Sequence, residues 1–568
     1  MYAVDADGTV TGCVNIRDLP WYIVQEALFA PGPTVLSGLT ELHMNETRIR
    51  EFPPSIVKLT SLTKLDLSQN DVLEAVSEHI GEMVGLKVLK LGGTDLQELP
   101  SSIGKLTGLV ILDLEWCEML QALPKEIGRM VGLRTLNLSD CGLKEVPSTI
   151  GNLTGLEQLL LTGCDQLEAL PEDISAMVAL KLLNLQFTAL KELPSSIGKL
   201  TGLETLALTG CHELYSLPGE IGGMVGLRRL YMLGTVFKQP LQSSIWKLTG
   251  LEDLHLDWCS TGFSTCTEEL GEMVGLRLLN LGFTTRSAIC HEASGNECEL
   301  PSSIGKLTGL EKLNLDFSSF FLKPVPDFLL PEEIGEMKRL RELSLNSSGA
   351  KELPSSIGQL TGLQKLSLHG CRNIEALPQE IGRMVGLRVL NLGGCRRLGD
   401  AGASIITGLL RTRHSIRHLD LSLSGIQEGG ILAIGRAIKE TYRASFPPFK
   451  IYGIKLSGVA AKLGLPVESG NADDWSNSRI IRWMLGDFVV LDTVIAFLSA
   501  QISLVVEEYR PRPLDGSGNS VIPAVSALGQ DNMKQIGKLF MNMQTQERLQ
   551  QVDLETYEVD SETDSEYE

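Results

Sequence analysis

Hydrophobic positions along this chain recur in one figure, L-x-x-L-x-L, which returns about two dozen residues later throughout most of its length. Leu62-Leu65-Leu67, Leu86-Leu89-Leu91 and Leu109-Leu112-Leu114 are consecutive examples, and the series continues to Leu387-Leu390-Leu392. First leucines from Leu39 to Leu227 stand 23 and 24 residues apart in alternation, so the underlying unit is a pair of 47 residues. One half of the pair reads SSIGKLTGLE and the other EIGRMVGLR. The tract ELPSSIGKLTGL occurs three times unchanged, from Glu98, Glu192 and Glu299.

The spacing predicts the elements. The second and third leucines lie two apart, on one face of a short strand, while the residues between them point to the other face. The chain must then turn back and return to lay down the next parallel strand. The return segment L-P-x-x-I-G-x-L/M sets Pro at the turn and sends Ile and Leu inward, as in Pro100, Ile103 and Leu106. No unit covers its own leucines, so each buries them against its neighbours and stability accumulates along the stack. Sixteen strands at roughly 4.8 Å spacing give a sheet about 75 Å long. The expected fold is an α/β solenoid, a horseshoe with a parallel sheet on its concave face.

The full pattern, L-x-x-L-x-L-x-x-N/C/T-x-L-x-x-L-P-x-x-I-G-x-L over residues 39–395, resembles intracellular leucine-rich-repeat proteins of the Ras group and the repeat regions of plant disease-resistance proteins. From Leu398 to Glu440 a step of 29 residues, Leu387 to Ile416, resembles the longer repeats of the ribonuclease-inhibitor type, with a helix expected over Ala401 to Arg411. Ile451-Ile454-Leu456 suggests one further strand. The resemblance implies a binding platform in signalling, with a small GTPase, kinase, phosphatase or immune-type receptor as protein partner. Nothing in the chain resembles the nucleotide-binding domain of disease-resistance receptors.

Position accounts for most of the cysteines. Cys117, Cys141, Cys164, Cys211, Cys259, Cys371 and Cys395 each fall eight residues after a first leucine, in the slot that Asn70, Thr94, Thr188, Thr235 and Thr284 fill elsewhere. These are expected to face inward and bond the neighbouring turn, which suits a reducing compartment. Cys266, Cys290 and Cys298 lie off the ladder, without metal-ligand spacing, so no metal or cofactor is expected. The formal charge of −20 argues against a nucleic-acid groove. No base precedes Arg17 and no signal-like apolar run is seen, so a cytoplasmic protein is expected. Catalytic motifs are missing, and no cysteine follows Cys395 to serve a ligase-like domain. The expectation is therefore not an enzyme.

Function then falls to the open sheet face. The first position after each first leucine alternates in sign: Arg134, Glu157, Lys181, Glu204, Arg228, Glu252, Arg277, Glu311, Arg341. That order predicts a self-neutralising ladder. Aromatics are sparse, yet Trp116, Phe187, Trp258, Phe283 and Phe317 all fall seven residues after a first leucine, and Tyr231 lies mid-strand. Interfaces concentrate binding energy on such side chains. Two longer steps nearby predict protruding loops, Thr285–Cys298 and Ser318–Phe328, the second exposing Phe320, Phe321 and Phe328. Tyr231, His255, Asp257, Trp258, Phe283, Asp316 and Phe317 with these loops form the candidate partner site, and Trp116 and Phe187 extend it.

The expected organisation is an N-terminal cap over 1–38, repeats over 39–397, longer repeats over 398–456, a helical cap over 457–508, and a linker, polar helix and acidic tail over 509–568. Trp21, Ile23, Val24 and Leu28 are expected to lie on the first repeat. The apolar stretch 483–506 contains Asp487 and Asp492, which favours a packed helix over a membrane span. A monomeric scaffold that binds a protein partner on its concave face is the leading reading. The alternative is a sensor or accessory subunit of an immune-type or other multiprotein complex, working through its C-terminal cap and tail.

Overall fold

Within a computed structural model, residues 2–4, 10–15, 38–52, 54–235, 237, 243–256, 268–282, 297–317, 327–412 and 416–427, with short pieces up to 452, are described. The chain divides into two units, Met1–Val505 and Val506–Glu568. Of the N-terminal cap expected over 1–38, residues 16–37 lie outside the described residues, as do the helical cap expected over 457–508 and everything in the second unit.

The first unit is built on a sheet of 19 strands. Each of the sixteen expected repeats contributes one, from β3 (Gly38–His43) to β20 (His418–Asp420). The strand suggested near Ile451 is present as β21 (Lys450–Tyr452), parallel to β20. Two strands were not anticipated. β1 (Tyr2–Val4) and β2 (Val10–Asn15) form an antiparallel hairpin, and β2 continues the sheet in parallel with β3. These segments carry no leucine triplet, so the periodicity could not find them.

Register is set by the central leucine of each triplet. Leu136, Leu159, Leu183 and Leu206 sit opposite one another on consecutive strands, all fully buried. The return segments are five-residue 3-10 helices such as Ser101–Lys105, entered from Pro100 in extended conformation, with Ile103 and Leu106 buried. The helix expected over Ala401–Arg411 is α1 (Gly399–Thr412). Both longer steps end in short strands: β14 (Glu297–Glu299) pairs in parallel with β16 (Asp327–Leu329), a second sheet of two strands.

The ladder slot behaves as its position requires. Each buried thiol donates to a leucine carbonyl of the preceding repeat: Cys164 to Leu138 at 3.1 Å, Cys211 to Leu185 at 3.1 Å, Cys395 to Leu368 at 3.1 Å. Thr235 Oγ1 does the same to Leu208 at 2.8 Å. Burial pushes the thiols of Cys164 and Cys371 up, to about 12 and about 11, so they stay protonated and inert.

In four places the two kinds of return turn are joined by a carboxylate clamp. Glu332, first residue of one 3-10 turn, accepts from the backbone N–H groups of Ser356 (2.9 Å) and Ser355 (3.2 Å) at the start of the next. Glu78, Glu172 and Glu268 hold Ser102, Ser196 and Ser303 in the same way. The Ser356 N–H, followed by the other donors, holds the Glu332 carboxyl below the usual range. A folded pKa below the unfolded one gives stability that is complete at neutral pH and disappears as pH falls through the folded value. The wild-type urea midpoint should therefore drop more steeply below roughly pH 4 than that of Glu332→Gln, which has no proton to gain. Parallel pH dependences would show that the clamp contributes nothing.

Candidate binding surface

Residues on either side of the central leucine emerge on the open face of the sheet. The first column is the alternating charge ladder. Glu157 meets both Arg134 (3.8 Å) and Lys181 (3.7 Å), Glu252 meets Arg228 and Arg277, and Glu311 meets Arg341 at 3.9 Å. The basic partners are exposed and the glutamates half-buried, and such surface pairs contribute about 0–1 kcal/mol each. Up to Arg341 the column neutralises itself.

The next columns carry the more specific chemistry. β11 (Arg229–Tyr231) and β12 (Asp253–His255) bring the rings of Tyr231 and His255 together, centroids 4.9 Å apart and tilted by 47°. Burial pulls His255 down to about 4, so the ring is neutral at physiological pH. Beyond it, β13 (Leu278–Asn280), β15 (Lys312–Asn314), β17 (Glu342–Ser344) and β18 (Lys365–Ser367) floor an open pocket of about 310 Å³. Its lining includes His255, Asn280, Lys312, Asn314, Asp316 and Lys365.

Asp316 anchors one wall. Its carboxylate accepts from Ser344 Oγ (2.6 Å), Asn346 N (2.7 Å) and Asn346 Nδ2 (3.0 Å). Burial raises its pKa, and these donors oppose that rise. Asn346 Oδ1 in turn accepts from Ser367 Oγ (2.6 Å) and the His369 N–H (2.9 Å). The result is a continuous polar chain across three strands. Such a network is rigid because every member is held by the next. Asn280 and Asn314 each accept the N–H two residues on, at 3.1 and 2.9 Å, a local turn that fixes the amide against the sheet.

The expected aromatic site is only partly assembled. Tyr231, His255 and Asp316 come together. Asp257, Trp258, Phe283, Phe320 and Phe321 lie outside the described residues. Phe317 and Phe328 require correction: both are buried, with ring centroids 5.3 Å apart, and both belong to the hydrophobic core. Rings of this size gain more from burial in the core than from exposure.

Trp116 and Phe187 lie on another part of the surface, and their slot has a backbone requirement the triplet pattern does not reveal. The residue seven after the first leucine has positive φ: Trp116 at 65°, Phe187 at 56°, with Gly163 and Gly210 at 73° and 71° in neighbouring repeats. Left-handed backbone costs a residue with a Cβ about 1 kcal/mol. Phe187 lies over Gly210, where an added Cβ would come within 2.4 Å of its ring. It therefore fills the gap that the next repeat's glycine leaves. Trp116 is 42% exposed.

The pocket's polar residues, Asn280, Lys312, Asn314, Ser344, Asn346 and Lys365, were not singled out in the sequence. A signal existed: Asn280, Asn314 and Ser344 all stand four residues after a first leucine. Among the described residues there is no cluster able to hold a metal ion, and no helix is long and apolar enough to cross a membrane.

A family model described as a leucine-rich repeat region matches residues 65–169 and 159–328. TMV resistance protein N of Nicotiana glutinosa is 39% identical over 80 residues, which is 14% of this chain and 7% of that protein. The chain thus spans a small fraction of the curated relative it matches. Among solved structures, a leucine-rich-repeat protein of Leptospira interrogans aligns with 25% identity and a TM-score of 0.53, covering 77% of this chain and 99% of that one. A TDR receptor aligns at 20% identity and a TM-score of 0.51, over 72% of this chain and 67% of that one, a likeness of fold.

Proposed function

From the premise that this is a leucine-rich-repeat protein with repeats of the plant-resistance type, we propose that it is a non-catalytic scaffold that seats a protein partner on the open sheet face between β11 and β18. The observation that carries the reading is the pocket beside the Tyr231–His255 pair, with its rigid polar wall. An aromatic pair gives large, stiff contact area, and fixed amides and carboxylate give orientation. His255 is neutral, so the ring presents an uncharged surface. A role in intracellular signalling and a cytoplasmic setting belong to the same proposal. Among the described residues six thiols are free and buried, which suits a reducing compartment.

Phe317 is unsuitable as a probe, because its removal would hollow the core. The informative change is Tyr231→Ala with His255→Ala, both on the open face and partly exposed. Affinity capture with mass spectrometry is expected to recover partners with the intact chain and to lose them by about tenfold or more with the double variant. Thermal melting of both proteins checks that the fold survives. Undiminished capture by the variant would move the interface elsewhere, and loss only on truncation after Pro447 would assign it to the C-terminal part of the chain.

A further inference from the structure

The charge ladder breaks its rule at the C-terminal end of the array. After Arg341 the same column continues with Gln364, Arg388 and Arg417, where alternation would require an anion between the two arginines. These are consecutive rungs, since Gln364 N donates to Arg341 O, Arg388 N to Gln364 O and Arg417 N to Arg388 O, each at 2.7 Å. Two exposed arginines therefore leave neighbouring strands side by side, roughly 4.8 Å apart at the backbone. Lys365, also exposed, stands one residue along on β18.

Like charges in adjacent rungs are destabilising, and nothing nearby offsets these. Among the described residues neither Arg388 nor Arg417 makes an ion pair. The carboxylates on this part of the face are already engaged: Glu311 by Arg341, Glu342 by Lys312 at 2.9 Å, and Asp420 by the Ser422 N–H at 2.9 Å. In a chain of charge −20, the strip stands out against its surroundings.

We infer that Lys365, Arg388 and Arg417 form a docking strip for an acidic stretch of a partner polypeptide. The inference rests on the proposed use of the sheet face and names the chemistry of its partner. Lys365 also lines the pocket, so a chain crossing the arginines reaches the polar wall without a gap. A polypeptide fits better than a nucleic acid. Carboxylates can be spaced to avoid Glu342 and Asp420, whereas a continuous phosphate backbone would meet both of them and the net charge behind them.

The test is fluorescence anisotropy of the full chain with a fluorescein-labelled decapeptide rich in Asp and Glu. Binding is expected to weaken with salt and to fall about tenfold or more in Arg388→Glu. That change puts an anion beside Arg417, so its melting temperature should not fall. Lys105→Glu, on a remote turn, should bind as the wild type does. Equal binding by wild type and Arg388→Glu overturns the inference, as does tighter binding of single-stranded DNA of equal charge. Partner capture that survives Arg388→Glu but is lost with Tyr231→Ala and His255→Ala rejects the strip and keeps the scaffold reading. Capture that survives both sets rejects the sheet face between β11 and β18 as the interface.

Discussion

Replacing Gly198 with alanine is expected to wedge two neighbouring repeats apart and cost about 3 kcal/mol, at the upper end of overpacking penalties. Gly198 lies in the 3-10 turn Ser195–Lys199, against the next turn, Gly219–Gly223. A Cβ there would come within 2.1 Å of the Glu220 carbonyl oxygen. The obstacle is backbone, so no rotamer change relieves it. Gly85→Ala makes a suitable control, because its nearest atom would be 3.5 Å away, an ordinary contact. Urea denaturation with hydrogen exchange checks this: protection should fall in both turns around residue 198 in Gly198→Ala and stay unchanged in Gly85→Ala. Equal midpoints for the two variants would contradict the close approach.

Asn70→Ala should be comparably severe, at the N-terminal end of the array. Asn70 is fully buried and its Nδ2 donates to Leu67 O (2.7 Å) and Met44 O (2.9 Å). Its Oδ1 accepts the N–H groups of Thr47 (3.0 Å) and Ile49 (3.2 Å). One side chain thus satisfies four backbone groups across two repeats. Leaving buried groups without partners is expected to cost on the order of 3 kcal/mol. Asn70→Thr should recover part of this, since Thr94 in the following repeat bonds Leu91 O at 2.7 Å from the same slot. It cannot replace the acceptor for Thr47 and Ile49. In a stack held by nearest neighbours the damage stays local, so the readout is amide exchange at Thr47 and Ile49. Slow exchange at both in Asn70→Ala would refute the assignment.

The leucine triplets made the architecture legible because burial at a fixed interval admits few alternatives. The ladder cysteines were legible for the same reason: Cys164 and Cys211 occupy a slot from which Thr235 and Asn70 also donate to a carbonyl of the preceding repeat, with other atoms. The site was harder to read. Aromatic content marked Phe317 and Phe328 as contacts, but a ring gains as much from filling a core as from meeting a partner, and side-chain type does not distinguish the two. Asn280 and Asn314 escaped notice because Asn137, Asn184 and Asn391 fill the same strand position elsewhere, and only hydrogen-bond partners show that these amides and Asn346 are fixed. The left-handed slot at Trp116 and Phe187 was visible only as an irregular scatter of glycines in other repeats.

The clamps from Glu78, Glu172, Glu268 and Glu332 all run from the EIG-type turn to the serine-type turn that follows it. A duplication or deletion by unequal crossing-over that adds or removes a whole 47-residue pair leaves each surviving glutamate facing a serine. One that shifts the frame by a single unit juxtaposes two turns of the same kind and orphans a carboxylate. Lineages of this coding sequence should therefore vary in length by even numbers of units, with breakpoints that preserve the order of the two turn types.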